Sequence, residues 1–397
     1  MPEGVLSVVT GNTPAVRGAT VDRLRRLNRD APVLAVSVED GDGRYPMVHR
    51  HLSGDGAGAR HDSVQAGSGD PAVILRQDLM ALRGATSVPN VILVLPGDLY
   101  LPPFLADLWR PRLGGGALGE RFDQGPVVVG LDAASFLADI GCVHRTVRLW
   151  NGSERGEPLT AAEAAARQVE AADAVVVPAA TGGDRRTLGV AALAGHLNAH
   201  ALVWSPASDT AAVPELPQRL LCPGSAPWGG REEWLSRLEP VSAPRVRRGR
   251  HEGVESVLWR SRRPLHPQRL ADALATVMFG VVRSRGHLWL SSRPDAVVAW
   301  RSAGAHLTLQ ENGDWLSDQE PHTWAAVSAQ RRTLASWFWH DYYGERRNEI
   351  VFTGVDLDAQ RVRAALDEAL LTDAELARGR EGWVEFPDPL LRTDDTA

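Results

Sequence analysis

The chain contains no lysine: all 43 basic residues among its 397 are arginine. That absence excludes mechanisms. A phosphate-binding loop of the G-x-x-x-x-G-K-[ST] type uses a lysine ammonium to reach the β- and γ-phosphates. Schiff-base chemistry needs an amine that can lose its proton, and arginine keeps its own. Cysteine is scarce as well. Cys142 and Cys222 are too few for a disulfide framework or an all-cysteine zinc site. No run reaches the ~18 apolar residues of a membrane-spanning helix. The start, MPEGVLSVVTG, passes into strand-like sequence without a basic leader, so the expected location is the cytoplasm and no membrane partner is expected. With a formal net charge of −6 there is no global polycation, and DNA is not an expected partner.

What is present is an ordinary globular composition, with length enough for two domains. Its charge is unevenly spread. Residues 1–244 carry 22 arginines against 27 acidic residues, 245–350 carry 16 against 11, and 351–397 carry 5 against 11. The basic middle block also holds Trp259, Trp289, Trp300, Trp315, Trp324, Trp337 and Trp339.

The first half alternates short apolar runs, at 5–10, 32–38, 90–95, 126–131, 174–177 and 201–205, with helical patterns at 20–29, 101–110, 159–171 and 189–197. Runs that are apolar throughout suit strands buried on both faces of a parallel sheet, so this half predicts a doubly wound α/β domain. Segments 41–70 and 114–125, rich in Gly, Asp and Ser, read as loops. The PVSAPRVRRGR stretch at 240–250 reads as a linker. Beyond it, strands near 254–259, 280–282, 286–290 and 350–352 and helices at 266–279 and 358–370 predict a smaller α+β module. The expected organisation is thus a domain at 1–240, a linker at 241–250 and a second domain at 251–390.

Between the first strand and first helix, where a phosphate-binding loop would belong, the chain reads Val9-Thr10-Gly11-Asn12-Thr13-Pro14-Ala15-Val16-Arg17-Gly18. Gly11 fits the first glycine of the pattern. Val16 stands in place of the second, Arg17 of the lysine, and Gly18 of the magnesium-binding hydroxyl. Val16 brings a Cβ against the amides that would wrap phosphate, and Pro14 removes one of them.

The second half carries a resemblance. Trp259-Arg260-Ser261-Arg262-Arg263-Pro264, then Gly280-Val281-Val282-Arg283-Ser284-Arg285-Gly286, then Arg346-Arg347-Asn348-Glu349-Ile350-Val351-Phe352-Thr353-Gly354 resemble the ordered segments of the CobW C-terminal domain, with Arg285 in place of the usual lysine. The resemblance extends to the first half as a CobW-type GTPase domain: a P-loop-GTPase-like, mostly parallel sheet followed by the smaller α+β domain. Leu131-Asp132-Ala133 resembles the family's V-D-A, and 162–177 resembles the helix and strand that lead into its guanine-reading N-K-x-D. There the chain has Pro178-Ala179-Ala180-Thr181. The family's C-x-C-C zinc segment would fall near 70–78, which holds no cysteine, and the switch glutamate expected near 95–97 is absent.

The resemblance therefore implies a GTPase-like domain without the lysine, hydroxyl, guanine reader and thiolates of an active one, so catalytic residues are expected to be none. GTP with Mg2+, and Zn2+, are implied by the resemblance alone. Gly11, Arg17 and Asp132 would be the nucleotide-binding remnant. Arg17 reads either as a phosphate ligand or as a solvated loop residue, and Asp132 either as a magnesium holder or as a helix cap. Within the family the pattern, especially residues 339–354, resembles the actinobacterial Mrf branch, which is linked to zinc-limitation remodelling of ribosomes. That branch implies a ribosome or a ribosome hibernation factor as partner. Arg260, Arg262, Arg263, Arg283, Arg285, Arg346 and Arg347, with the nearby tryptophans, read either as a basic face for RNA or a partner, or as an ion-paired surface over a tryptophan core. His266, His287 and His340 with Asp341 read either as a nitrogen/oxygen zinc site without cysteine or as unrelated residues, since their spacing resembles neither H-x-x-x-H nor H-E-x-x-H. His49, His51 and His61 read either as a loose metal site in a loop or as ordinary loop histidines. A nucleotide-dependent zinc metallochaperone with unusual ligands and a protein-interaction scaffold are the other readings.

Overall fold

In the computed structural model the described residues are 4–56, 59–85, 90–111, 117–178, 185–205, 231–239, 241–242, 245–317 and 319–391. Residues 179–181, where the guanine reader was sought, Cys222, and the side chain of His61 lie outside them. Two units are resolved, Met1–Arg237 and Leu238–Ala397.

The first unit is built on β1 (Val5–Gly11), β2 (Val33–Glu39), β3 (Met47–Gly56), β4 (Ala59–Ser68), β5 (Asn90–Val94), β6 (Asp123–Gly130), β11 (Ala174–Val176) and β12 (Leu202–Trp204), in spatial order β12-β11-β6-β1-β5-β2-β3-β4. The pairs from β12 to β2 are parallel, and β3 and β4 add an antiparallel hairpin. Four two-residue strands, β7 (Thr146–Val147), β8 (Trp150–Asn151), β9 (Glu154–Arg155) and β10 (Leu159–Thr160), pair locally. Val9, Ile92, Leu93, Val128 and Val175 are buried, as the two-faced burial of a parallel sheet requires. The helices are α1 (Pro14–Leu27), α2 (Pro71–Ala85), α3 (Leu101–Leu108), α4 (Ala133–Ile140), α5 (Ala161–Glu170) and α6 (Arg185–Leu197). Strands β5 and β2 lie on one side of β1, and β6, β11 and β12 on the other. The sheet therefore reverses its order at β1 and β6, where an open α/β sheet forms its ligand crevice.

Two local readings of the sequence are corrected. The stretch 41–70 is mostly the β3–β4 hairpin and not a loop. Its strands mix Gly, Asp, His and Ser because much of the hairpin is solvent-facing, which erases the apolar alternation that betrays a strand. The first helix begins at Pro14, not near residue 20. Thr13 accepts a hydrogen bond from the Val16 amide at 3.2 Å, and Pro14 occupies the first turn, a regular helix start.

The second unit is a five-stranded antiparallel sheet of β13 (Val254–Ser261), β14 (Val281–Leu288), β15 (Ala296–Ala303), β16 (His306–Asp314) and β17 (Asn348–Val355), in order β13-β17-β14-β15-β16. The helices Pro267–Val277 and Ala359–Glu368 pack on one face around Trp259, Leu270, Trp300, Phe352, Val362 and Leu366. A second core joins Val241, Trp289, Trp315, Leu334 and Trp383. Two strands expected at 280–282 and 286–290 are one, β14, whose apolar pattern is interrupted by Arg283, Ser284 and Arg285. Val241, in the stretch read as linker, is buried, and its carbonyl accepts a hydrogen bond from Arg347 at 2.9 Å.

Candidate functional site

The crevice of the first unit lies at the carboxyl ends of β1, β5 and β6. Asn12 clamps two turns together: its side-chain amide donates to the Asp132 carbonyl at 3.1 Å, and its Oδ1 accepts from the Asp132 amide at 2.8 Å. Asp132 spends its carboxylate on the Ser135 amide at 2.9 Å, capping α4. Gly11 is a glycine because the strands are close. A Cβ there would lie 2.6 Å from the Gly130 carbonyl.

Arg17 sits in the first turn of α1 and folds back, its Nη1 donating to the Gly11 carbonyl at 3.0 Å. Burial lowers its pKa, and the nearby Asp98 carboxylate opposes that shift. Gly97 packs against both: a Cβ there would lie 2.9 Å from the Gly11 carbonyl and 3.6 Å from Arg17 Nη1. The structure thus brings Gly11, Arg17 and Asp132 to one place, by way of Asn12.

Phosphate does not fit this turn. A phosphate cradle needs free amides at the helix start and a loop that wraps the anion. Here only Asn12 and Thr13 separate β1 from α1, Pro14 has no amide hydrogen, and that of Val16 is taken by Thr13. Arg17 Nη1 is engaged with the protein's own backbone. The GTP and magnesium that the resemblance implies are therefore not matched by these residues.

Sequence reasoning missed a second layer of the crevice. Asp98 follows β5, and burial raises its pKa, opposed by a hydrogen bond from its own backbone and by Arg155 and Arg17, while Asp40 adds to the rise. Arg155 donates to Asp40 at 3.0 Å, lies 3.8 Å from Asp98, and stacks its guanidinium 4.4 Å from the Trp150 ring centroid. Two guanidinium groups and two carboxylates balance one another. The only hint in the sequence was the Pro96-Gly97-Asp98 turn after a buried strand.

The seven arginines of the second unit do not form one solvent-facing surface. Arg260 alone is exposed, and it pairs with buried Glu349. Arg262 donates to the Gly344 carbonyl at 3.3 Å, and Arg263 to the Leu371 carbonyl at 3.0 Å and to Asp373 at 2.6 Å. Arg283, Arg346 and Arg347 are buried. Arg283 donates to the Ser302 carbonyl at 3.1 Å. Arg346 donates to the Ser317 carbonyl at 3.1 Å, and Arg347 pairs with Glu349 at 3.2 Å and lies 3.8 Å from the Phe338 ring centroid. Arg285, half-buried, stands opposite Arg301 on β15. A run of charges in sequence does not show which of them have internal acids waiting. Glu349 is such an acid, buried between Arg260 and Arg347.

Of the histidines, His266 caps the helix Pro267–Val277, His340 accepts from the Tyr342 amide at 3.1 Å, and His49 lies 3.7 Å from Glu39. His287 is fully buried, and burial, with Arg347, Arg331 and Arg260 nearby, holds its pKa well below the usual value. Asp341 is exposed. Among the described residues no three or more His, Cys, Asp or Glu side chains are placed to hold a metal ion. The position of the thiolate segment is the start of α2, where Asp70 accepts from the Ala72 amide at 2.8 Å.

Residues 254–370 match the family model of the cobalamin synthesis protein cobW C-terminal domain. The chain is 32% identical over 161 residues, 40% of its length, to zinc-regulated GTPase metalloprotein activator 1 of Dictyostelium discoideum, and that match spans 33% of the relative. It is 27% identical over 338 residues, 83% of this chain and 79% of the relative, to a zinc chaperone of Mycobacterium tuberculosis. Among solved structures, the Zn(II)-bound YjiA GTPase of E. coli is 15% identical, with 94% of this chain and all of that one covered and a TM-score of 0.37. The mixed α/β architecture with a large, mostly parallel sheet and a separate antiparallel sheet is that of this chain, and its second unit contains a cobW C-terminal domain.

Proposed function

We propose that the chain is a cobW-type protein that has given up GTP hydrolysis and works as a binding or recruitment factor. The observation that carries this reading is the β1–α1 turn, in which Arg17 Nη1 holds the Gly11 carbonyl at 3.0 Å and Pro14 and Thr13 remove the amides a phosphate would use. Catalysis of phosphoryl transfer rests on positioning and electrostatic stabilisation of the phosphates, and this turn supplies neither. The residues of the first unit hold its crevice together. Arg17 and Arg155 neutralise Asp98 and Asp40, and Asn12 ties the β1 and β6 turns.

The test is turnover and binding of GTP by the full chain. Hydrolysis no faster than the buffer blank supports the reading, and turnover that disappears in Arg17→Ala sinks it. The setting we assign is the zinc-limitation response, with the ribosome or a ribosome hibernation factor as partner, by resemblance to the Mrf branch. Co-sedimentation with ribosomes from zinc-depleted but not zinc-replete cells supports that setting. Absence from ribosomes in both removes it.

A second reading is a zinc metallochaperone with unusual ligands, favoured by the likeness to a mycobacterial zinc chaperone. Stoichiometric zinc retention in equilibrium dialysis that changes on adding GTP would put it first.

A further inference from the structure

Trp337, Trp339 and Tyr342 are 76%, 48% and 73% exposed, and they follow one another within six residues at the end of the helix Ala329–Trp337. Side chains of this size seldom stand in water together without a partner. The backbone here is fixed. The His340 amide donates to the Gly344 carbonyl at 2.8 Å, and the Gly344 amide to the His340 carbonyl at 2.7 Å. The rings extend inward to half-buried neighbours. Trp339 lies 6.0 Å from Trp324, Tyr343 lies 5.2 Å from His340, and Tyr342 meets Tyr343 at 4.7 Å with their planes at 87°. An ordered aromatic surface therefore stands on the second unit, anchored through Tyr343 on the core that holds Trp289.

The charges around it decide what it suits. Arg331 is buried in its ion pair with Glu345. Arg332 Nη1 donates to the carbonyls of Trp324 at 3.2 Å and Val327 at 2.6 Å. Asp341, exposed, precedes Tyr342 in the chain, and exposed Glu320 stands at the start of the helix that carries Trp324, while Arg262 is engaged with the Gly344 carbonyl at 3.3 Å. Stacking of bases on aromatic rings is accompanied in nucleic-acid sites by cations that track the phosphates. This surface offers acids where those cations would be needed. Its charge complements a basic segment.

We propose that Trp337, Trp339 and Tyr342 form a docking surface for a proline-rich, arginine- or lysine-bearing segment of a partner protein. A polyproline II segment has no internal backbone hydrogen bonds, and its carbonyls are open to donors such as the indole N–H and phenol O–H. Its rings pack against aromatic faces, and its preformed shape lowers the ordering cost of binding. Asp341 would meet the basic residue. The surface lies within the second unit, so this assignment stands or falls without reference to nucleotide.

The experiment is fluorescence polarisation of the full chain with two labelled probes, a panel of arginine-flanked Pro-x-x-Pro peptides and a short oligouridine. We expect peptide binding that weakens about tenfold or more in Trp337→Ala and also in the charge reversal Asp341→Arg, with no binding of oligouridine. Both positions are exposed, and unchanged thermal unfolding of the variants verifies the fold. Failure of every peptide to bind, or equal binding by wild type and Trp337→Ala, overturns the proposal. So does oligouridine binding that is lost in Trp337→Ala.

Discussion

A Cβ placed on Gly286 would lie 1.9 Å from the carbonyl oxygen of Glu349 and 2.8 Å from the Cα of Ile350 on the neighbouring strand. Strands β14 and β17 approach so closely there that only hydrogen fits. This gives a physical reason for the glycine of the Arg283-Ser284-Arg285-Gly286 segment. Because the obstacle is backbone on a central strand, relaxation must move the sheet. Overpacking costs about 1–3 kcal/mol where side chains can shift and more where backbone must. We expect Gly286→Ala to destabilise the second unit by at least about 3 kcal/mol, read as a fall in the denaturation midpoint of the full chain.

Arg331 and Glu345 form a second such dependence. Both are buried, and the guanidinium clasps both carboxylate oxygens while Glu345 also accepts from the Leu316 amide at 2.6 Å. Removing one partner leaves an uncompensated internal charge. Arg331→Met or Glu345→Leu alone is therefore expected to cost about 3–5 kcal/mol. The double change Arg331→Met with Glu345→Leu is expected to cost less than either single change, because it removes both charges. Denaturant unfolding of the four proteins measures the coupling directly.

These two features show what was and was not legible in the sequence. The parallel strands of the first unit were readable because Val9, Ile92, Leu93 and Val128 are buried on a sheet covered from both sides, which leaves a continuous apolar run. The hairpin β3–β4 was not, since its polar strands carry no period. Asp132 was open to two readings, and only the 2.9 Å bond from Ser135 shows that its carboxylate caps α4. The seven arginines were read as either surface or paired. Burial of Arg283, Arg346 and Arg347 is set by contacts such as Arg347 with Glu349 and Val241, the latter 106 positions away, which a charge count does not contain. The crevice carboxylates Asp98 and Asp40 were missed because they meet only through Arg155.

Protonation provides a prediction with a definite sign. His287 is buried, and its pKa in the folded chain lies well below the ordinary value near 6.5 that it has when unfolded. The unfolded state therefore binds the proton first as pH falls. The stability that rests on a neutral His287 is complete above about pH 6.5 and declines below it, by up to about 1.4 kcal/mol per pH unit. We expect the unfolding free energy of the wild type to drop between about pH 6.5 and 5, and His287→Leu to lack this drop. Parallel slopes in the two proteins would show that another group is responsible.

Glu375 acts in a lower window. Hydrogen bonds from Arg269, reinforced by the capping arrangement with Thr372, hold its pKa at about 2. A carboxylate depressed in the fold contributes above its unfolded pKa and loses that contribution as pH falls toward the folded one, here from about 4.5 to 2. The ion pair is partly exposed, so solvent screens it and its worth is about 1 kcal/mol at most. Arg269→Ala should lower stability more at neutral pH than near pH 2, and equal losses at both would assign the effect to packing and to the hydrogen bond from Arg269 to the Leu370 carbonyl.

The crevice of the first unit permits a repair experiment. If only the side chains of the phosphate loop had been lost, Arg17→Lys combined with Gly18→Ser would restore GTP turnover. The geometry argues that it will not. The helix already starts at Pro14, Thr13 already holds the Val16 amide, and the two-residue turn leaves no arc of free N–H groups for the new lysine to complete. Loss of the Arg17–Gly11 hydrogen bond, worth about 0.5–1.5 kcal/mol, should lower stability slightly. Because Arg17 also helps keep Asp98 ionised against burial, Arg17→Ala should raise the Asp98 pKa further, observable by carboxyl NMR titration. Turnover regained in the Lys–Ser variant would mean that a phosphate cradle survives in this fold, and the chain would then have to be counted as a GTPase lacking two side chains.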